Sequence, residues 1–472
     1  MPRLFSCTLL ALLFSSTLVF AEELAAPPIV PQWGAEFGGG AVDDGRVWSL
    51  SDLIDLAATH NIETRVAWEK AKQAAAGLGI AQSTFKPHIA AAVLAGFQHV
   101  SFPLPQTVLT PKGYFTADIG AVAPMLTLKW LLLDGGQRQA SVNIAQQRMV
   151  AAQVGFTGQH QKLVFEVIRH YHSLNSLRAK IKIFEAAESQ SQLLLAATLA
   201  RKKSGMATKP DVLQAQQQLA QSHYQLTEVR AAESELYLRF LDIVGLAPSS
   251  QLNIAAEQPE IQSALFLQSI DVLVKQALEH RPDLKMREAE LNARTEEIEQ
   301  ARAEERPKLG LSVNAGYTLN SIGIEESKTL RTTQPQYGIM LSLDVPIFDG
   351  GYGHSKVTLA QSRRQEAQYE LKQARDQAVR EVWKTHNALK VAMNKRAAAL
   401  AFKTAASAAY QAVFDSYRYG VASLIEVTNA HTDLIRAQAS DEESIGLVQT
   451  ASAALALATS LLDVPPAEKF IQ

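Results

Sequence analysis

The tripeptide Asp134-Gly135-Gly136 returns 215 residues later as Asp349-Gly350-Gly351, and the rest of the chain is arranged around that recurrence. Gly205-Met206-Ala207-Thr208 returns as Gly420-Val421-Ala422-Ser423 at the same offset, and Asp211-Val212 and Ala215 return as Glu426-Val427 and Ala430. Upstream, His60 matches His280 and Pro87 matches Pro307, both 220 residues apart. A chain of 472 residues with such a recurrence is two copies of one arrangement of elements. The change of offset between Pro87 and Asp134 belongs in a loop.

Each copy reads in the same order. An amphipathic helical segment, about 50–86 or 271–306, stops at a proline, because the residue before proline disfavours helix. Two strand-like stretches follow, and the Gly-Gly pair then opens a helical pattern running to Gly205 or Gly420. A return helix ends near Gly245-Leu246-Ala247-Pro248 in the first copy and near Val464-Pro465-Pro466 in the second. The stretch from Gly136 to Gly205 contains no proline and is rich in Ala, Gln, Leu and Lys, all good helix formers. As helix it is about 100 Å long, far too long for a globular core, so it must pack along neighbours. Gly155 and Gly158 weaken it without forcing a break.

These patterns divide the chain. Residues 1–21 read as a signal peptide and 22–47 as an N-terminal extension. Repeat 1 covers 48–248, with strands at about 88–98 and 118–131, a long helix at about 135–204 and a return helix at about 208–246. A linker at 249–268 leads to repeat 2 over 269–464, with strands at about 308–318 and 336–346, and helices at about 350–419 and 423–463. Residues 465–472 form a tail.

The strands alternate. Ile89, Ala91, Val93, Ala95 and Phe97 oppose a more polar set, as Leu309, Leu311, Val313, Ala315 and Tyr317 oppose Gly310, Ser312, Asn314, Gly316 and Thr318. In the partner strands Val122, Leu126, Leu128 and Trp130, and Tyr337, Ile339, Leu341, Leu343 and Val345, form the apolar face. Strands of about ten residues with this period-2 pattern suit a transmembrane barrel. An ordinary sheet on a soluble core has the same pattern, but helices of this length leave no such core. Four strands in lipid would leave open edges, so the sheet must close with other copies of the chain. Pro124 lies inside a strand, where a bulge is expected.

The N-terminus supports export. Arg3 precedes an apolar run from Leu9 to Phe20, and Val19-Phe20-Ala21 ends it before Glu22-Glu23, as at a secretory cleavage site. The run is shorter than the roughly 20 residues that an anchor helix needs. Cys7, the only cysteine, lies within this segment, so the mature chain would hold neither a disulfide nor a thiolate metal site. With 45 basic and 47 acidic residues the chain has no electrostatic footprint for nucleic acid. No catalytic motif is present, no cofactor is implied, and His170 and His172 are spaced so that they do not share a helix face, which argues against a metal site. The chain does not read as an enzyme.

The doubled Asp-Gly-Gly, the doubled Gly-x-Ala-[Thr/Ser]-x-x-[Asp/Glu]-Val-x-x-Ala and Tyr171 resemble the TolC-like outer-membrane efflux proteins, over essentially 50–462. The resemblance implies a mostly α fold with a transmembrane β-barrel segment. A homotrimer would form a twelve-stranded barrel joined to a long periplasmic α-helical barrel. It implies a Gram-negative outer membrane, a periplasmic adaptor and an inner-membrane transporter as partners, and export of small toxic molecules. An exit duct for type I protein secretion is the alternative, and a structural periplasmic coiled-coil protein is the rival from another class. By the same resemblance the pore constriction involves Asp211, Tyr417, Glu426 and Asn429, and Gly205, Met206, Gly420 and Val421 form hairpin tips meeting the adaptor. Ala422 stands where the family's best-known pattern has an arginine tie, and Asn429 where it has a second acidic ring. Asp211 and Glu426 also sit where capping boxes place them, and Asp134 and Asp349 read as N-caps at the strand-to-helix junctions formed with Gly135, Gly136, Gly350 and Gly351.

Overall fold

The computed structural model of the protein describes residues 46–108, 111–256, 268–324 and 329–462. The expected signal peptide with Cys7, nearly all of the N-terminal extension, most of the linker and the tail lie outside the described residues. Repeat 1 comprises β1 (Val47–Trp48), α1 (Leu50–His60), α2 (Ile62–Ser83), β2 (His88–Pro103), β3 (Tyr114–Leu133), α3 (Gln137–Lys203) and α4 (Lys209–Val244), followed by β4 (Asn253–Ile254). Repeat 2 comprises α5 (Ile270–His280), α6 (Pro282–Ala303), β5 (Lys308–Ile324), β6 (Leu330–Asp344), α7 (Tyr352–Arg418) and α8 (Leu424–Ala458).

The segment before each strand pair is two helices, not one. Between α5 and α6 the cause is Pro282, which holds Arg281 in an extended conformation at ψ 127°. Between α1 and α2 no proline is present, and Asn61 makes the break. Its side chain accepts from Thr64 N at 3.0 Å and donates to the Ile243 carbonyl at 2.9 Å. None of these helices, nor any other among the described residues, is long and apolar enough to cross a membrane.

The chain divides into two compact units. The first takes Lys72–Val150 and Ala289–Tyr369 and contains a four-stranded antiparallel sheet in the order β2-β3-β5-β6. Its register brings the apolar stripes of all four strands to one face. Ile89, Leu128, Val313 and Ile339 form one cross-strand row, and Ala91, Leu126, Ala315 and Tyr337 form the next. The intervening row of Ala90, Thr127, Asn314 and Gly338 points to the opposite face. The apolar face is bare in the single chain, with Ile339 78% and Tyr337 85% exposed. Strands β2 and β6 each leave one edge unpaired.

No bulge forms at Pro124. The β3–β5 register runs from Val122↔Leu319 to Met125↔Gly316 without a shift, and the irregularity lies instead between Leu131 and Leu133. The reason lies beside Pro124, where a Cβ on Gly316, the partner of Met125, would clash with the Pro124 carbonyl oxygen. The bare glycine lets β5 approach closely, and the ladder skips Ala123 and Pro124 without an extra residue.

The second unit takes residues up to Ala71, Ala151–Glu288 and the chain from Glu370 onward. It holds two apolar cores that share equivalent positions. Leu53, Val167, Leu174 and Phe240 of the first correspond to Leu273, Val382, Leu389 and Leu455 of the second at the repeat offsets. The first core also takes Trp48 and Ile254 from the short parallel pair β1–β4, and Tyr171 Oη donates to the Ala255 carbonyl at 2.9 Å. Along α7 the buried residues Leu371, Ala378, Val382 and Leu389 alternate steps of seven and four. That eleven-residue period lies close to the α-helical repeat, so a long helix keeps one face on its neighbour with little supercoiling.

Candidate functional site

Two helix turns in the second unit carry most of the residues singled out from the sequence. Helix α3 ends in a left-handed Gly205 at φ 76°, with Met206 N donating to the Arg201 carbonyl and Gly205 N to that of Lys202. Helix α7 ends the same way, with Gly420 at φ 78°, Val421 N donating to Ser416 O and Gly420 N to Tyr417 O. Glycine is used because a Cβ would strain this conformation. Both turns project apolar side chains into solvent. Met206 is 65% and Val421 83% exposed.

Each return helix then starts with a reciprocal cap. Thr208 N donates to Asp211 Oδ2 at 2.8 Å, and Ser423 N donates to Glu426 Oε2 at 2.6 Å. Asp211 N and Glu426 N in turn donate to the hydroxyls of Thr208 and Ser423. The backbone N–H and hydroxyl of Thr208 hold Asp211 below the usual carboxylate range, aided by the charge of Arg201. The backbone N–H and hydroxyl of Ser423 do the same for Glu426. Both groups are thus anionic at neutral pH. Glu426 and Asn429 are exposed one turn apart on α8.

Between the two hairpins the contact is a cation over a ring. The Arg201 guanidinium lies 4.9 Å from the centre of half-buried Tyr417. Among the described residues no hydrogen bond joins Tyr417 to Asp211, whose carboxylate is taken up by its own cap. No local pattern marks Arg201, because the pairing spans hairpins far apart in the chain. A second unforeseen cluster surrounds Asp441 on α8, whose side chain is 3% exposed and receives Arg396 and Lys403 from α7. On α3, Lys180 pairs with Glu443 at 2.6 Å and Ser176 Oγ donates to the Glu442 carbonyl. The run Asp441-Glu442-Glu443 was the available signal.

The strand-to-helix junctions belong to the first unit and differ from each other. Buried Asp134 accepts from Gly136 N at 3.2 Å and Arg138 N at 2.7 Å, and Arg138 Nε adds a bond at 2.9 Å. Arg138 also donates to the Thr84 and Leu132 carbonyls and lies over the Phe85 ring. Burial works against the Asp134 carboxylate, but the Arg138 and Gly136 bonds outweigh it and lower its pKa. Exposed Asp349 has only the backbone bonds from Gly351 and Gly353, because Gly353 stands where repeat 1 has Arg138.

Among the described residues no group of His, Cys, Asp and Glu could hold a metal ion. Burial pushes His172 down to about 4 and lowers His170, whose Nδ1 lies 2.8 Å from the Glu166 carbonyl, so both pack as neutral rings.

Comparison with known proteins agrees with this architecture. The family described as outer membrane efflux protein matches residues 53–240 and again 273–460, one match per repeat. Protein CyaE of Bordetella pertussis is 25% identical over 88% of this chain and 84% of its own length. The pyoverdine export outer membrane protein OpmQ of Pseudomonas aeruginosa is 25% identical over 73% of this chain and 72% of its own. Among solved structures, the outer membrane protein VceC of Vibrio cholerae superposes with a TM-score of 0.70 at 20% identity, covering 87% of this chain and 95% of that one. The Campylobacter jejuni CmeC outer membrane channel superposes at 0.72 with 16% identity, covering 87% and 85%.

The Arg138–Asp134 pair yields a testable asymmetry. Arg138→Met leaves a buried carboxylate unpaired and is expected to cost about 3 kcal/mol, read as a lowered thermal midpoint of detergent-extracted protein. The Asp134 carboxylate has a depressed native pKa, so its contribution is present above the usual carboxylate range and is lost as pH falls through the native value. The stability gap between the wild type and Asp134→Asn should therefore close on acidification, while Asp349→Asn should show a smaller gap at neutral pH. Equal gaps for the two aspartates would show that the Arg138–Asp134 pair contributes nothing.

Proposed function

We propose, starting from the fact that this chain belongs to the outer membrane efflux protein family, that it is the exit duct of a tripartite system exporting small toxic molecules. The protein is an outer-membrane channel with a large periplasmic helical part, as its family and its relatives among efflux and export proteins indicate. Its relatives and fold are those of channels, not of enzymes. The finer reading adds a homotrimer in lipid, a periplasmic adaptor and an inner-membrane transporter.

The observation that carries it is the shared apolar face ending on two unpaired strand edges. Lipid offers no hydrogen bonds to an open edge, so a four-stranded sheet reaches the bilayer only when other copies close it. Three copies would give a twelve-stranded barrel with Leu311 and Leu341 toward lipid and Ser312 and Ser342 toward the lumen. In this reading the exposed turns at Gly205, Met206, Gly420 and Val421 meet the adaptor. Asp211, Tyr417, Glu426 and Asn429 narrow the resting channel. The export of pyoverdine named for one relative supports a small-molecule cargo.

Two outcomes are expected. An arginine on the lipid face near mid-bilayer costs roughly 2–4 kcal/mol. Leu311→Arg and Leu341→Arg should therefore deplete assembled channel, and with it the resistance of a complemented deletion strain to toxic compounds, more than Ser312→Arg and Ser342→Arg. Greater loss from the serine variants would reverse the assignment of faces. At the closed end, copies of Glu426 around one axis would favour cations, most strongly at low salt. Glu426→Gln should then lower cation selectivity in a planar bilayer. Unchanged selectivity would leave Glu426 as a helix cap alone.

A further inference from the structure

The two faces of the sheet exchange character near the strand ends joined by the β2–β3 connection, opposite the ends that lead into helices. Leu309 and Leu319 bound the apolar stripe of β5, and a separation of ten residues is about 34 Å of strand. At a tilt of about 40° this makes a band about 26 Å high, close to the roughly 25 Å apolar band of outer-membrane barrels. Beyond Leu319 the same face turns polar. Ser321 pairs with Gly120 and Arg331, and His99 pairs with Asp118, its Nδ1 2.6 Å from Asp118 Oδ1. Arg331, His99 and Asp118 are all exposed. Charge is costly on a lipid face, so these rows stand above the lipid.

The opposite face changes in the reverse sense at the same level. From the row of Thr127 and Asn314 up to that of Asn320 and Thr332, only Leu94 and Met125 on this face are large and apolar. Above that, Ile119 pairs with Ile322, Val100 with Ala117, and Phe102 with Phe115. The two phenylalanine rings stack with centres 4.9 Å apart. Among the described residues of the four strands Ala117 alone is buried, at 3% exposure. The side chains of this face therefore converge most closely where they are most apolar.

Resting on the barrel proposed above, we infer that these side chains form a hydrophobic ring around the exit of the channel, a selectivity element that holds back ions and hydrophilic solutes from outside. The barrel turns this face toward the lumen, and the polar rows on its other side place the ring above the bilayer. An ion crossing an apolar constriction gives up hydration and finds no polar group to replace it, so such a segment acts as a barrier by dewetting. A solute with apolar surface meets no such penalty. The lumen below the ring offers hydrogen-bonding side chains such as Asn314 and Thr127, so the barrier is confined to the exit. The competing reading is that Phe102, Phe115 and Ile119 only pack the end of the β2–β3 hairpin, which would leave passage through the lumen indifferent to their polarity.

Reporter cysteines in the full chain test the ring in intact cells, with a charged, membrane-impermeant thiol reagent added from outside. Asn314→Cys lies on the inner face below the ring, Lys112→Cys on the exposed connection above it, and Leu128→Cys on the lipid face. Asn314→Cys should react about tenfold more slowly than Lys112→Cys. Changing Phe102, Phe115 and Ile119 together to Ser should bring the two rates to within about threefold, whereas Phe115→Leu, which stays apolar, should leave Asn314→Cys slow. Equal rates for Asn314→Cys and Lys112→Cys in the otherwise unsubstituted chain would overturn the ring, and that comparison needs no ring variant to assemble. A lumen that stays slow after the serine changes would also overturn it, leaving the three residues as hairpin packing. Reaction of Leu128→Cys as fast as Lys112→Cys would instead overturn the barrel on which the inference rests.

Discussion

A strand in lipid must find partners for all its backbone hydrogen-bonding groups within protein, and in the proposed channel the rest of the molecule depends on this constraint. The chain supplies a sheet whose apolar side chains all lie on one face, and that sheet stops after four strands. Nothing else among the described residues covers the edges of β2 and β6. A face so apolar and edges so open would invite aggregation in a water-soluble protein. In the proposed channel both features would be useful, with the face toward lipid and the edges toward other copies.

The second unit answers a different demand. Helices of 67 residues cannot bury themselves in a compact core, so they pack along neighbours, α7 through small and aliphatic residues spaced in fours and sevens. The matched cores around Leu53 and Leu273 show that duplication preserved packing more faithfully than polar detail. At the junctions, by contrast, Arg138 is replaced by Gly353, and a buried ion pair in one repeat becomes an exposed turn in the other. Asp441 differs in the same way, since Leu226 stands in its place in repeat 1. Charged clusters have diverged where each hairpin meets different neighbours.

Features set by residues close in sequence could be read in advance. The helices before Pro87 and Pro307, the left-handed glycines 205 and 420, the caps at Thr208 and Ser423 and the alternation in the strands all depend on such neighbours. What could not be read depends on distant partners. The break at Asn61 is fixed by the Ile243 carbonyl, the absence of a bulge at Pro124 by Gly316, and the environment of Tyr417 by Arg201. Asp134 and Asp349 looked alike because their local sequence is alike, and they differ because only one has an arginine four residues on.

In the proposed channel this sheet is complete only between copies. Native mass spectrometry of the detergent-extracted protein tests it most directly, because it counts chains without reference to any residue assignment. The account predicts one assembly of three chains that persists on dilution and dissociates only when the fold is lost. A folded single chain that remains soluble without detergent would contradict it.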